Sequence, residues 1–351
     1  MAETAAETAR ETPLAGSPVG SRPANPQMTR ATEEASRCAG DGPARSRQRH
    51  LPRRAKGKQA VTRVRAAWAA LLALAFLLQR ELDDAVEAAW QSLRDSPVFQ
   101  HDSFEPVIAT ASFAFWLFFF QFLDDFLPLH QYVINPAERR KDKHTGIPPR
   151  AGAAYLGVIM TYDYFFPRRN IPASGPGSFA KVLLDIFIAL VVYDALFFPI
   201  HLAMHRMPAL RFIHARHHES KALYSTEVLR HSLVDGSLQV AVNILTLNLL
   251  RLHPFTRMCY NIVITYMLTE IHSGLDLPYM LHNVLSDRVL GGPPRHEEHH
   301  RFGTHNYQQF FTYLDDLVLP WIDSGFAMSR HARGGADVAA PASREAAAKV
   351  T

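Results

Sequence analysis

The chain has 351 residues, of which 20% are charged, and a formal net charge of +4 with its histidines neutral. Positive charge is concentrated at the start, where residues 1–65 hold 13 lysines and arginines against 6 acidic residues. No aromatic interleaving or nucleic-acid fold signature accompanies this basic stretch, so we expect no nucleic-acid partner. The only cysteines, Cys38 and Cys259, exclude a disulfide framework and favour a reduced, cytosol-facing chain.

The two ends of the chain differ in composition from its middle. Residues 1–60 are rich in Ala, Thr, Ser, Pro, Gly and Arg without hydrophobic periodicity, which predicts a disordered basic tail. An organelle transit peptide is the alternative, but five glutamates argue against it because such peptides are poor in acidic residues. Residues 61–95 predict a helical segment able to anchor the chain in a membrane, and 326–351 predict a flexible C-terminal tail.

The middle, residues 96–325, is predicted to be a membrane-embedded catalytic domain. A full membrane span needs about 20 apolar residues, and only the apolar runs 106–123 and 179–200 approach that length. The runs 236–252 and 258–271 predict an antiparallel helical hairpin that turns at His253-Pro254. We therefore predict an all-α fold, a polytopic membrane helical bundle; helices buried inside a soluble α-protein are the competing interpretation. The apolar runs are 66–78, 106–123, 151–166, 179–200, 236–252 and 258–271.

Charge also predicts how the bundle is oriented. The short loop at 138–144 is basic, and the positive-inside rule places such loops in the cytoplasm. Counting crossings from that loop brings the ends of the runs 179–200 and 258–271 to the same cytosolic face. Both chain termini are then cytosolic as well.

Histidine clusters follow those two runs. One is His201-xxx-His205, a spacing that puts both rings on one face of a helix. An H-x-x-H-H cluster begins at His214, and a second copy begins at His296. Within each copy we expect the first and fourth residues to share a face, with the fifth pointing slightly around it. His272 ends an apolar helix on the same predicted side and joins them as a candidate ligand.

This number of imidazoles exceeds the needs of one tetrahedral zinc site and is enough for two ions. Neutral imidazole is a good ligand for iron, copper, nickel and zinc, and a poor one for magnesium or calcium. We therefore predict a cytosol-facing, histidine-rich di-metal site with no catalytic side chains beyond the metal ligands. The predicted ligands are His201, His205, His214, His217, His218, His272, His296, His299 and His300.

Several other polar residues lie near these clusters. Asp194, two helical turns before His201, is predicted to accept a hydrogen bond from a ligand imidazole and so orient it; capping or packing is the alternative. His231 and His282 are further candidate ligands, although surface or ligand-orienting roles suit them equally well. The third cluster also contains two glutamates. Carboxylate-bridged centres take Glu-x-x-His pairs from several helices. No such repetition occurs, so we expect these glutamates to face solvent or neighbouring arginines.

The order of these clusters resembles the fatty-acid hydroxylase superfamily, which includes sterol desaturases, methyl-sterol oxidases and cholesterol 25-hydroxylase. The resemblance covers roughly residues 96–321. It includes His253-Pro-Phe-Thr256 and His272-Ser-Gly-Leu-Asp-Leu-Pro278, which are most similar to the cholesterol 25-hydroxylase and methyl-sterol oxidase group. Residues 301–312 also look like the sphingolipid C4-hydroxylases. The chain departs from the family pattern at Leu275 and Leu314, which leaves the ligands intact but opens the question of the substrate.

The resemblance implies that the nine histidines hold two non-haem iron ions. It further implies O2 as co-substrate, electrons from NAD(P)H through cytochrome b5 or a reductase, and an endoplasmic-reticulum membrane. We thus expect an O2-dependent di-iron lipid hydroxylase, acting on a sterol-like substrate. A sterol C-5-type desaturase or a sphingolipid C4-hydroxylase is the alternative within the superfamily. A zinc-binding membrane protein is the alternative without redox chemistry, since zinc has none.

Overall fold

A computed structural model describes residues 58–139, 149–166, 171–220 and 222–324. These residues belong to one compact unit, and they contain eight helices of more than ten residues. The eight are α1 (Lys58–Leu77), α2 (Gln79–Arg94), α3 (Phe104–Phe126), α4 (Pro149–Phe165), α5 (Phe179–Arg206), α6 (Leu233–Leu249), α7 (Pro254–Ile271) and α8 (Gly292–Phe302). No strand longer than an isolated bridge occurs in these described ranges.

The predicted all-α fold is confirmed, and each of the six apolar runs lies within or overlaps one of these helices. The first run is longer than predicted, because α1 already begins at Lys58. The predicted tails 1–60 and 326–351 lie outside the described residues, except for residues 58–60. Cys38 lies outside them as well. Most of the basic loop at 138–144 lies outside them too.

Side chains at the helix starts explain where the site-bearing helices begin. The hydroxyl of Ser178 accepts a hydrogen bond from the backbone N–H of Lys181 at the start of α5. Ser232 caps α6 in the same way, accepting from the N–H of Asp235. Helix α7 begins with Pro254, which lacks an N–H and suits the first helical turn.

Three helices, α1, α3 and α5, are long and apolar enough to cross a membrane. Much of their apolar surface faces outward: no residue in the most apolar stretch of α1 is buried, and Phe76 is 76% exposed. Phe118 on α3 and Leu184 on α5 are also exposed. Apolar surface on this scale is stable against lipid and not against water. The chain is a multi-pass membrane protein.

Helices α3 and α7 lie side by side and run in the same direction. Glu105 near the start of α3 pairs with Arg257 near the start of α7, and Ser112 bonds to Thr265 further along both helices. Helix α6 runs antiparallel to α7, as the predicted hairpin requires. The end of α7 therefore delivers His272 to the face of the bundle where α6 begins.

The His-Ser-Gly segment after α7 turns sharply because of its glycine. Gly274 has φ +66°, a conformation that L side chains rarely adopt. A Cβ at this position would also overlap the carbonyl oxygen of Leu223. The glycine lets two loops approach closely beside the histidines.

Candidate metal centre

All nine predicted ligands come together, in two adjoining groups. Within each group, one potential ligand atom from every histidine lies within 4.8 Å of the others. We name them by size. The five-histidine group consists of His201, His205, His214, His218 and His299. The four-histidine group consists of His217, His272, His296 and His300.

The two H-x-x-H-H clusters each supply both groups, which differs from the expected pairing. His214 and His218 share the five-histidine group, while His296 and His300 share the other. The fourth residue of each cluster crosses to the opposite group. Within α8, which holds His296–His300, the fifth residue is rotated about 40° from the first and the fourth about 60° the other way. His214 instead ends a short helix, and a 3-10 turn begins at His217. The expectation that first and fourth residues pair was therefore wrong, and the first and fifth pair instead.

Outer ring nitrogens are anchored at four members of the five-histidine group. His201 Nδ1 lies 2.6 Å from the carbonyl oxygen of Tyr307, and His214 Nδ1 lies 2.7 Å from Oδ2 of Asp235. His218 and His299 donate to the carbonyls of His300 and His305. Carbonyl and carboxylate oxygens only accept, so each Nδ1 carries the hydrogen. In a neutral ring, Nε2 then carries no hydrogen and offers a lone pair.

These lone pairs face one another. His201 Nε2 and His214 Nε2 are 3.0 Å apart. Ring lone pairs at such a distance repel unless a cation lies between them. The separation matches neighbouring ligand nitrogens on one ion, roughly 2.9–3.4 Å for metal–nitrogen bonds of about 2.0–2.1 Å. The five-histidine group fits a metal ion.

Burial keeps these rings ready for a cation. Desolvation lowers the pKa of His218 to about 3, and it lowers the pKa values of His299 and His300 well below their usual range. Neighbouring imidazoles add to this effect. The Nε2 atoms of His218 and His299 are buried with no hydrogen-bond partner among the described residues. Neutral rings with unused lone pairs are what a metal ligand requires.

The four-histidine group has the same inner spacing and weaker outer support. His272 Nε2 lies 2.9 Å from His296 Nε2 and 3.2 Å from His217 Nε2. The His272 Nδ1 donates to the carbonyl of Leu268. The Nδ1 atoms of the other three members are buried without a hydrogen-bond partner in the described part of the chain. All ligands in both groups are imidazoles, a donor set suited to iron, copper, nickel or zinc.

Asp235 is the carboxylate that bonds to a candidate ligand, His214, and sequence reasoning missed it. It is fully buried in the first turn of α6, and the Ser232 hydroxyl that caps this turn also donates to the carbonyl of Ile213. These bonds hold the His214 segment against α6. The Ser-x-x-Asp spacing at 232–235 signals a helix start, but it does not indicate a histidine partner.

The predicted role of Asp194 in bonding directly to a ligand imidazole was wrong. Its carboxylate accepts from the backbone N–H groups of Gln309, Phe310 and Phe311, and from the side chain of Gln308. A fully buried carboxylate is stable only with such donors. Asp194 therefore fixes the loop after α8, and the carbonyl of Tyr307 at the start of that loop contacts His201.

Neither glutamate of the third cluster faces solvent, one of the two environments expected for them. The other, a neighbouring arginine, fits Glu297, because burial raises its pKa while the charges of Arg139 and Arg301 lower it. Glu297 is 1% exposed. Glu298 accepts from Asn306 Nδ2 at 3.2 Å and lies 3.7 Å from His305 Nε2. Helix α8 packs against the loops on either side, which buries both carboxylates.

The further candidate ligands lie outside both groups. The ring of His231 is 5.9 Å from that of His217, close to the four-histidine group. His282 is buried and bonds to Asp276 Oδ1 at 2.9 Å. His305 bonds to the Thr304 hydroxyl. His253, in the hairpin turn, is at the opposite end of α7 from His272.

A cavity between the helices comes close to the four-histidine group, although none of the nine histidines is among its lining residues. Helices α3, α4, α6 and α7 line it, and His231 and Leu268 lie at its histidine end. Leu268 is the residue whose carbonyl anchors His272. The middle is lined largely by apolar side chains, among them Ala109, Phe113, Ile159, Val240 and Ile264.

Comparisons with known proteins agree with this geometry. A model of the fatty acid hydroxylase family matches residues 186–319, a range that contains all nine histidines. A cholesterol 25-hydroxylase-like protein (protein 1, member 2) of Danio rerio is 30% identical over 277 residues, which cover 71% of this chain and 94% of that protein. Cholesterol 25-hydroxylase of Homo sapiens is 26% identical over 240 residues, which cover 66% and 86%.

Another cholesterol 25-hydroxylase-like protein of Danio rerio is 31% identical over 168 residues, which cover 46% of this chain and 65% of that protein. No solved structure matches the chain. The similarity to the 30% identical relative covers 94% of that protein, and the family model spans all nine candidate histidines. The chain belongs to the fatty acid hydroxylase superfamily.

Proposed function

We propose that this protein is an O2-dependent di-iron hydroxylase acting on a sterol-like lipid. The observation that carries the proposal is the largely apolar cavity that ends at His231 and Leu268, beside the four-histidine group. Relatives named as cholesterol 25-hydroxylases support a sterol over other lipids. The all-imidazole donor set supports iron, although it suits other transition metals too.

Iron at the two groups, with O2 and electrons from NAD(P)H through cytochrome b5 or a reductase, would supply the oxidising power that alkyl C–H bonds require and that side-chain acids and bases lack. The protein's own part is to hold and to orient. The five-histidine and four-histidine groups would each hold one ion. Asp235 and the backbone carbonyls fix the ligand rings, while the cavity excludes water and aligns the lipid.

The proposed setting is the endoplasmic-reticulum membrane, with the histidines and both termini on the cytosolic side. The electron donor would then reach the site from the cytosol. The basic loop at 138–144 supports this orientation by the positive-inside rule.

The test is product analysis with protein purified in detergent and loaded anaerobically with iron. With NAD(P)H, a reductase, cytochrome b5 and O2, we expect cholesterol to gain one hydroxyl, detected by mass spectrometry. His305→Gln should form the same product, because the His305 ring lies beside α8 but outside both groups. An alkene product would identify a desaturase. No iron uptake, with zinc bound instead, would contradict the proposal.

A further inference from the structure

The cavity end remote from the histidines carries a buried network of polar side chains, in contrast to its apolar middle. Arg257 Nε donates to Glu105 Oε2 at 2.9 Å, and Asn261 Nδ2 donates to Glu105 Oε1 at 3.3 Å. Asn243 Nδ2 in turn donates to Asn261 Oδ1 at 3.4 Å. These four residues all line the cavity, and we call them the polar clamp.

The direction of the hydrogen bonds within the polar clamp is fixed by chemistry. The Glu105 carboxylate, paired with the Arg257 guanidinium, can only accept. Asn261 must therefore turn its NH2 group to Glu105 and its oxygen to Asn243. Asn243 must then donate its own NH2 group to Asn261. The Oδ1 of Asn243 is left as the last acceptor of the chain, and it is buried with no hydrogen-bond partner among the described residues.

An unpartnered buried acceptor is costly, particularly inside a membrane protein. A network that served only to join α3, α6 and α7 would gain stability by ending in a satisfied group. The open acceptor indicates a missing donor. Because the Asn243 side chain lines the cavity, that donor can come from a molecule bound within it.

The polar clamp also lies at a defined distance from the candidate metal centre. Asn261, its point of contact with Asn243, precedes His272 by 11 residues along α7, which corresponds to about 16 Å of helix. The cavity follows one face of α7 from Asn261 through Ile264 to Leu268, one helical turn before His272. A ligand that spans it needs a polar donor at one end and a long apolar body.

We propose that Asn243, positioned by Asn261 and Glu105, accepts a hydrogen bond from the hydroxyl group of a long lipid alcohol. The opposite, apolar end of that lipid then lies at His231 and Leu268, beside the four-histidine group. This inference rests on the proposed function and adds the recognition of the substrate: the clamp selects a hydroxyl over a carbonyl oxygen, because a carbonyl cannot donate. It also fixes which end of the lipid meets the histidines.

Binding in lipid nanodiscs, without NAD(P)H, tests the proposal separately from turnover. Radiolabelled cholesterol is displaced by unlabelled cholesterol or by its 3-keto analogue, which only accepts. We expect the alcohol to bind about tenfold more tightly, as expected when one buried hydrogen bond is lost. Asn243→Ala brings the ratio close to one. Asn248→Ala keeps it, because Asn248 accepts from Arg257 but does not line the cavity.

Equal binding of alcohol and ketone by the unaltered protein would overturn the proposal without any variant. A preserved tenfold preference in a folded Asn243→Ala protein would overturn it as well. If the protein hydroxylates a sterol but binds alcohol and ketone equally, the proposed function stands and the role of the polar clamp is refuted. Selective binding without any oxidised product would do the reverse.

Discussion

The two histidine groups use the same ligand chemistry with different degrees of support. Four members of the five-histidine group have their outer nitrogens bonded to carbonyl or carboxylate oxygens. In the four-histidine group, His272 alone has such an acceptor among the described residues, and three Nδ1 atoms are buried without one. Outer hydrogen bonds fix the ring orientation and raise ligand basicity. The five-histidine group is therefore the more rigid of the two.

The cavity ends beside the less supported group. His231 and Leu268 lie at the cavity end beside His217 and His272. Under the proposed function, the five-histidine group should hold its ion more firmly than the group beside the cavity. The following predictions test this contrast.

The largest effect is expected from removing one ligand from each group in turn. His300→Ala leaves three imidazoles in the four-histidine group, whereas His205→Ala leaves four in the other, enough for a tetrahedral site. We expect His300→Ala to lose one ion per chain, and its hydroxylation to fall at least 100-fold, beyond the usual cost of losing an outer hydrogen bond. His205→Ala should retain both ions. Metal analysis with equal losses in both variants would contradict the contrast.

A smaller effect is expected from the outer carboxylate. Asp235→Ala removes the acceptor of His214, and the metal affinity of the five-histidine group should fall about 10–100-fold. Chelator competition measures this. Asp276→Ala is the matched control, because it alters a similar Asp–His pair, with His282, outside both groups. A similar loss of affinity in both variants would indicate a general effect on folding.

The smallest effect is expected from pH, and it should not distinguish the groups. Burial lowers the pKa of His218 to about 3 and that of His300 well below its usual range, whereas both protonate near pH 6.5 when unfolded. Below that pH the unfolded chain binds more protons, so stability is highest above pH 6.5 and falls as the pH decreases. The Tm of metal-free protein should drop by several degrees between about pH 7.5 and pH 5. A constant or rising Tm would be inconsistent with buried neutral rings.

The helices and all nine histidines that the groups contain could be predicted from sequence. Apolar run length and histidine spacing are local signals that can be read along the sequence. Helix α5, for example, contains the apolar run 179–200 followed by His201 and His205. The division of the ligands into groups could not be predicted, because it depends on the turn between His214 and His217, where one short helix ends and a 3-10 turn begins.

Contacts between distant segments also escaped prediction. Asp194 reaches residues more than 100 positions away, and Asp235 meets His214 only because α6 packs beside it. The spacing of a carboxylate in the sequence does not show which distant residue it will contact. The polar clamp joins three helices in the same way, so a sequence reading sees only isolated polar residues in apolar runs.

The central claim is that each histidine group holds one iron ion. Iron content and X-ray absorption of the protein, purified from cells supplied with iron, test it most directly. We predict two irons per chain, each surrounded mainly by imidazole nitrogens, and one iron per chain in His300→Ala. A single ion per chain, or zinc in place of iron after anaerobic loading, would contradict the account.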